Sequence, residues 1–299
     1  GVDQKPTITY SGSFTLQGAT RFMKPANSWQ WAEMEREAFM EGGGSSSAAP
    51  WTLEDIQKFK DGNDPNYPNT DWYDVVFRDW APQHNHSVSL RGGTDRISYY
   101  GYVGYLNQAT MIKKNGGGYT RFNLQSNVDI KVLDNLKLSV DLSYINHNKD
   151  YTERSMGDGG ALWQDLATTK PYYPASFPDK TKIPYADGAG TGGVHVSTNR
   201  EIYGYCDSDT NTYFGTAVLA YDFKYIKGLN MKLTENVIMS HYSYKDFTKP
   251  IDLYIYDSKS DTYTLKAQLN GSAQLWEVAQ TNRTWTQQLS LNYDRDFGK

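Results

Sequence analysis

The residues able to do chemistry in this 299-residue chain are few and badly spaced for catalysis. His84 and His86 stand two apart on a predicted strand and share a face, which is one way to present two imidazoles to a metal. No third ligand follows nearby, so the pair reads as structural. Gly188-Ala189-Gly190-Thr191-Gly192-Gly193 fits the letters of a dinucleotide loop. That loop needs a strand before it and a helix after it, whereas Pro184 precedes this one and Val194-His195-Val196 follows without a helical period. Asp61-Gly62-Asn63-Asp64-Pro65 and Asp257-Ser258-Lys259-Ser260-Asp261 are rich in calcium-type oxygens but lack the glycine and glutamate positions of an EF-hand. No G-x-S-x-G or H-E-x-x-H is present. The chain reads as a non-enzyme with no cofactor and no metal site.

A different chemistry is concentrated between residues 146 and 211. Trp163, Tyr172, Tyr173, Tyr185, Tyr203 and Tyr205 lie there among Asp158, Asp165 and Asn199. Sugar rings offer apolar C–H faces to aromatic rings and hydroxyls to planar polar groups. Binding residues also concentrate on loops held by a rigid scaffold. Trp163, Asp165, Tyr172, Tyr173, Tyr203 and Tyr205 are therefore the candidate substrate contacts. The competing reading is that these rings pack the loop on itself.

The elements that must hold this loop are strands. Phe122, Leu124, Val128, Ile130 and Val132 alternate with Arg121, Asn123, Gln125, Asn127, Asp129 and Lys131. After Leu133-Asp134-Asn135 the alternation resumes through Leu136, Leu138, Val140, Leu142 and Tyr144. A second hairpin turns at Ile226-Lys227-Gly228. With strands at about 7–17, 84–91, 96–106 and 284–295, eight long strands are predicted. Short turns alternate with long links at about 18–83, 107–119, 146–211 and 246–283. This is the rhythm of an up-and-down membrane barrel. Ser28 is placed to cap a helix over 29–41, Thr52 with Asp55 a helix to Phe59, and Asn69-Thr70 a helix over 71–77. Residues 42–50 read as a mobile Gly/Ser/Ala stretch, and residues 251–267 as a small hairpin rising from a loop.

Composition narrows the class further. The net charge of -4 argues against nucleic acid as a partner. Cys206 is the single cysteine, so an internal disulfide is excluded. Mean hydropathy is -0.70, and the longest apolar run, Ala217 to Tyr221, is five residues. A spanning helix needs about 20, but barrel strands, which alternate, do not. Arg, Asn, Gln, Asp and Lys share the polar face, which suits a wide wet bore and not the packed interior of a closed eight-stranded ring. The fold class is therefore all-β: an antiparallel, up-and-down transmembrane β-barrel segment, one domain over 1–299, forming an arc of a larger barrel.

In order and spacing, Pro68-Asn69-Thr70-Asp71-Trp72-Tyr73-Asp74, Ala81-Pro82-Gln83-His84-Asn85-His86-Ser87-Val88-Ser89, Gly92-Gly93, Tyr99-Tyr100, Gly104-Tyr105, Gly118-Tyr119-Thr120-Arg121-Phe122-Asn123 and Leu136-Lys137-Leu138 resemble the SusC/RagA family of TonB-dependent outer-membrane transporters of Bacteroidota. The likeness is strongest over 50–147. It implies a barrel of about 22 strands around a plug, a SusD-like surface lipoprotein as lid, and energy from TonB. It implies outer-membrane localisation and import of glycans, or of peptides in some members. The plug and TonB-contact segments have no counterpart here, and Gly1 reads as a point just after the plug. Asp296-Phe297-Gly298-Lys299 reads as one more short turn. Two other readings stay open at this point. One is a stand-alone small outer-membrane barrel acting as adhesin or pore. The other is a soluble carbohydrate-binding β domain, which would bury its apolar face.

Overall fold

The computed structural model describes residues 4–154, 161–187 and 198–296. The glycine-rich run 188–193, Asp158 and most of the 296–299 turn lie outside the described residues. Eight strands form one open meander: β1 (Gln4–Gln17), β2 (Ala81–Gly93), β3 (Ile97–Ala109), β4 (Gly117–Leu133), β5 (Leu136–Thr152), β7 (Gly204–Asp222), β8 (Leu229–Thr248) and β11 (Gln274–Tyr293). Each pairs antiparallel with the next. β6 (Ile183–Pro184), β9 (Ile251–Asp257) and β10 (Thr262–Leu269) leave the wall and form a second sheet in the order β10-β9-β6.

The register sorts the two faces into ladders. Ile97, Ile130, Leu138, Leu219, Leu233 and Leu289 are partners across six successive strands. Three rungs over, on the opposite face, Tyr100, Asn127, Asp141, Thr216, Asn236 and Thr286 form the polar counterpart. The polar ladder is cross-linked, with Asn127 Nδ2 donating to Asp141 at 2.5 Å and Asn236 Nδ2 to Thr216 at 2.8 Å. The apolar face is not packed against protein: Leu124 is 45% exposed, Leu142 53% and Leu289 67%. A soluble sandwich would bury these side chains. Leaving such a face in water forgoes about 25 cal/mol of stabilisation per Å², so this face is made for hydrocarbon. Aromatic rings crown it toward the long-loop end, where Tyr144 stacks on Tyr213 at 4.9 Å and Phe122 lies 6.2 Å from Tyr144.

Apart from Ala81 at the start of β2, the buried apolar residues among those described belong to the links. Trp72, Tyr73, Val76, Phe77, Leu162 and Leu166 share one cluster; Tyr203, Ile251 and Leu253 another; Ala32, Ile56 and Phe59 a third. Three helices brace the first link: α1 (Ser28–Glu41), α2 (Leu53–Asp61) and α3 (Trp72–Val76). α4 (Ala161–Thr168) stands in the link between β5 and β7.

The helix caps differ from expectation at two places. Asn27, not Ser28, closes the capping box of α1, accepting from Gln30 N at 3.2 Å while Gln30 Oε1 accepts from Asn27 N at 3.0 Å. Ser28 is buried and donates instead to Pro68 O at 2.7 Å. Asp71, not Asn69-Thr70, caps α3. Asn69 Oδ1 instead accepts from Ser28 N at 2.8 Å, tying the two helix starts together. Thr52 and Asp55 form the box at α2 as expected. The 42–50 stretch, expected to be mobile, contains a 3-10 turn at Ser46–Ala48. Arg36 fixes its flanks by donating to Trp51 O at 2.7 Å and to the carbonyl of Ser46.

The strands are also longer than the alternation indicates. β5 runs on to Thr152 and β7 starts at Gly204, so the link between them narrows to 153–203. Above the aromatic crown the outward face turns polar, at Asn146, Asn148, Asp209 and Asn211. Alternation of hydropathy stops there while hydrogen-bonded pairing continues.

Candidate functional site

Three links converge on one cleft beyond the long-loop end of the wall. It has a volume of about 480 Å³ and is lined by Tyr172, Tyr173, Phe177, Tyr185, Tyr254 and Tyr256, with Pro65, Pro68, Pro174 and Pro178 between them. Its polar side chains, besides the phenols, are Asn66, Ser176 and Ser258. This size and composition match small-molecule sites, which are concave, largely apolar and carry a few placed polar groups. A second concavity of about 510 Å³ lies at the short-turn end, on the polar face between Arg96, Asp129, Lys131 and Lys137. Its mixed charges belong to the foot of the bore.

The aromatic cleft is assembled from pieces that fold for local reasons. β9 places Tyr254 and Tyr256 on one face by period 2. β10 pairs along β9, and β6 adds in parallel at Ile183 and Pro184. Tyr185 N donates to Tyr254 O at 2.8 Å, which carries the 183–185 segment onto the hairpin. Tyr256 stacks on Tyr263 at 4.7 Å, and Phe177 meets Tyr263 edge-on at 5.5 Å. The hairpin tip reaches the first link through Ser258 Oγ, which donates to Asn66 Oδ1 at 2.5 Å.

Tyr172 is oriented from behind. Its hydroxyl donates to the Glu35 carboxylate at 3.1 and 3.2 Å, and Trp51 Nε1 donates to the same group at 2.7 Å. Lys170 completes the set, 3.1 Å from Glu35 and 3.3 Å from Asp187. Burial opposes charge on the Lys170 ammonium, but the Tyr172 and Glu35 partners outweigh it and hold its pKa above the ordinary value. Burial pushes the phenols of Tyr172 and Tyr173 up as well, so both remain neutral O–H groups at physiological pH. The arrangement offers fixed neutral rings and hydroxyls. It has the parts for binding and not for bond making.

Two of the six sequence-derived contacts, Tyr172 and Tyr173, line the cleft. The other four stand elsewhere. Asp165 is 0% exposed and takes a bidentate pair from Arg154 Nε and Nη2, the second at 3.0 Å. Tyr203 is buried at the foot of the hairpin with Ile251 and Leu253. Trp163 lies 5.6 Å from Phe77, and Tyr205 packs on Phe247 at 5.5 Å with the Arg200 guanidinium 5.4 Å from its ring. Asp165 and Tyr203 are thus buried in loop packing, whereas Trp163 remains 39% exposed. The sequence reasoning missed Tyr254, Tyr256 and Phe177. The i, i+2 spacing of Tyr254 and Tyr256 on a recognised short strand is the signal that could have found the first two. On the apolar face, His86 Nδ1 lies 2.8 Å from the Tyr10 hydroxyl, and the His84 ring is 5.0 Å from Phe14. Both histidines sit within aromatic contacts of the wall.

No protein-family model matches the chain. Over 114 residues it is 36% identical to the TonB-dependent receptor P26 of Formosa agariphila, a match covering 37% of this chain and 11% of that receptor. Over 106 residues it is 31% identical to the TonB-dependent receptor SusC of Bacteroides thetaiotaomicron, covering 35% and 10%. Among solved structures, its fold matches the RagAB peptide importer in the closed-closed state with a TM-score of 0.67 at 15% identity, covering 100% of this chain and 33% of that one. A second RagAB peptide transporter structure gives 0.67 at 16% identity, covering 99% and 33%. The chain thus spans about a third of the solved chains it matches.

Proposed function

We propose that this chain, a barrel segment of the SusC/RagA family of TonB-dependent outer-membrane receptors, forms part of the wall and outer mouth of an active nutrient importer. It is not an enzyme, and it resides in the outer membrane. The observation that carries the reading is the division of labour along the strands. An exposed apolar band faces lipid, a hydrogen-bonded polar face lines the bore, and the packed loops with their aromatic cleft stand at the outer end.

In this reading the loops capture the nutrient beneath a SusD-like surface lipoprotein. TonB, acting on parts of the receptor outside this chain, then opens the way through the bore. Nothing is bonded or cleaved. The protein supplies a change of access around a ligand held by noncovalent contacts, and the polar wall keeps the path wet. Glycans are the nutrient class that neutral rings and hydroxyls serve best. Peptide import is the second reading, favoured by the likeness of the whole fold to a transporter described as a peptide importer.

The test is uptake by the host bacterium with the receptor gene intact, deleted, or intact in a strain with TonB disabled. Growth on the receptor's nutrient should need both the receptor and TonB, and should fall when the neighbouring lipoprotein is removed. Uptake that persists unchanged without TonB would overturn the importer reading and leave a passive pore.

A further inference from the structure

We propose that the bore wall is divided by strand: β4 and β5 seat a domain held inside the barrel, and the nutrient descends along β7, β8 and β11. The proposal rests on the importer reading and adds to it a contact surface and a route. At the foot, lysines and aspartates mix around the short turns. Above the foot, the bore-facing charges among the described residues gather on two adjacent strands. Arg121 on β4 and Lys149 on β5 lie toward the mouth, and Asp129 and Asp141 lie lower on the same strands. Arg91 beside the first short turn and Asp246 at the lip of β8 are the others.

The four charges on β4 and β5 lack opposite charges of their own. Asp141 accepts from Asn127 Nδ2 at 2.5 Å and Asp129 from Ser139 Oγ at 2.5 Å, both neutral partners. Among the described residues none of the four makes an ion pair. Their signs are also sorted by height. Arg121 precedes Asp129 by eight residues and Lys149 follows Asp141 by eight, so the two levels stand about 26 Å apart along the strands. A charged solute would be held at one level and rejected at the other. A fixed domain with acids toward the mouth and bases lower down pairs both. A barrel of about 22 strands is filled by such a plug. The concavity of about 510 Å³ between Arg96, Asp129, Lys131 and Lys137 is the lower end of the same seat.

β7, β8 and β11 offer the opposite surface. From the Thr210–Tyr242–Gln280 rung down to the Val218–Thr234–Gln288 rung, no bore-facing side chain is charged. Thr212 Oγ1 and Ser240 Oγ are 3.4 Å apart, and Asn236 Nδ2 donates to Thr216 Oγ1 at 2.8 Å. Phe214 and Ile238 form one apolar rung among them. Passage needs contacts favourable enough to enter and weak enough to leave, and hydroxyls and amides repeated down a wall supply them. The aromatic cleft stands over this side. Tyr254 and Tyr256 come from the link between β8 and β11, and Tyr172 and Tyr173 from the link between β5 and β7.

The experiment uses the intact receptor in its host, with two probes. Vancomycin, which a sound outer membrane excludes, reports a loosened plug. A biotin maleimide reports access to single cysteines placed in the bore of a Cys206→Ser receptor. Heat-modifiability in the outer membrane checks that each variant has folded. Arg121→Glu with Lys149→Glu should lower the inhibitory concentration of vancomycin severalfold, with or without TonB. Arg121→Gln with Lys149→Gln, which adds no repulsion, should shift it less in the same direction, and Thr212→Glu with Ser240→Glu should leave it unchanged. In cells growing by receptor-dependent uptake, Thr212→Cys and Ser240→Cys should be labelled severalfold faster than when TonB is disabled. Gln125→Cys and Asn127→Cys, on the seat side, should stay protected in both. The seat is overturned if both Arg121/Lys149 pairs exclude vancomycin as wild type does, or if the Thr212/Ser240 pair admits it equally. The route is overturned if the cysteines at Gln125 and Asn127 are labelled as fast as those at Thr212 and Ser240. Labelling indifferent to TonB removes the importer reading instead, and the vancomycin test still decides the seat.

Discussion

Single side chains in the links do work that their types alone do not announce. Asp165 is the clearest case: an acid in an aromatic loop, expected at a sugar, is sealed against Arg154. Burying a carboxylate is tolerable only with a paired and hydrogen-bonded partner. Arg154→Ala should therefore destabilise the α4 region by about 3–5 kcal/mol, because it strands the Asp165 charge. Hydrogen exchange across Ala161–Thr168 would show the loss, and Arg154→Met with Asp165→Leu should recover most of it. A second prediction concerns acid. Partial burial pushes the Asp55 carboxyl up, but hydrogen bonds from Thr52 and Tyr67 outweigh it and hold its pKa below the ordinary value. A carboxylate with a lowered folded pKa adds stability above its unfolded pKa and loses it as pH falls through the folded one. The start of α2 should thus fray only at pH below the usual carboxylate range. Thr52→Ala should cost about 1 kcal/mol and move that fraying to higher pH, which exchange rates at Leu53–Asp55 would report.

The strands and helices were legible to different depths. Hydropathy alternates only where one face meets lipid, so β4 and β5 could be read between Phe122 and Tyr144. Their outer ends, where both faces are polar, could not. The capping box at Thr52 was legible because its partners are three residues apart. The cleft was not, because its closing bond joins Asn66 to Ser258 across 192 residues. No local pattern encodes such a meeting. Ring density alone picked out Tyr172 and Tyr173, which line the cleft, together with Tyr203, which is buried under the hairpin, and Trp163, which stays 39% exposed beside Phe77. One backbone position is decisive at this scale. Gly117 begins β4 at φ +78°, and a Cβ there would lie 1.6 Å from Asp150 O. Gly117→Ala should unpair the outer ends of β4 and β5, costing more than about 1 kcal/mol. Reduced amounts of heat-modifiable receptor in the outer membrane would reveal it.

Across the whole molecule, the two faces of the wall predict opposite tolerances. Leu219→Arg places a cation in the apolar ladder and should cost about 2–4 kcal/mol if that rung sits near the bilayer midplane. Asp141→Asn, on the polar ladder, should leave folding nearly unchanged. Denaturant titration of the receptor in liposomes distinguishes them, and equal sensitivity of both variants would contradict the facing assigned here. The sheet order itself followed from the rhythm of short and long connections, and the β9–β10 hairpin from its two short strands, whereas the addition of β6 to that hairpin was not legible, since a two-residue strand has no periodicity to read. The length of the strands has one last consequence. β8 alone has 20 residues, while crossing a bilayer takes about 9–11. About half of β8 therefore stands beyond the lipid, against only a few residues of the 13-residue β2 and β3, so the wall rises as a stiff collar that is tallest on the side of β7, β8 and β11. Phages, antibodies and host proteases arriving from outside would meet that collar before they met the membrane.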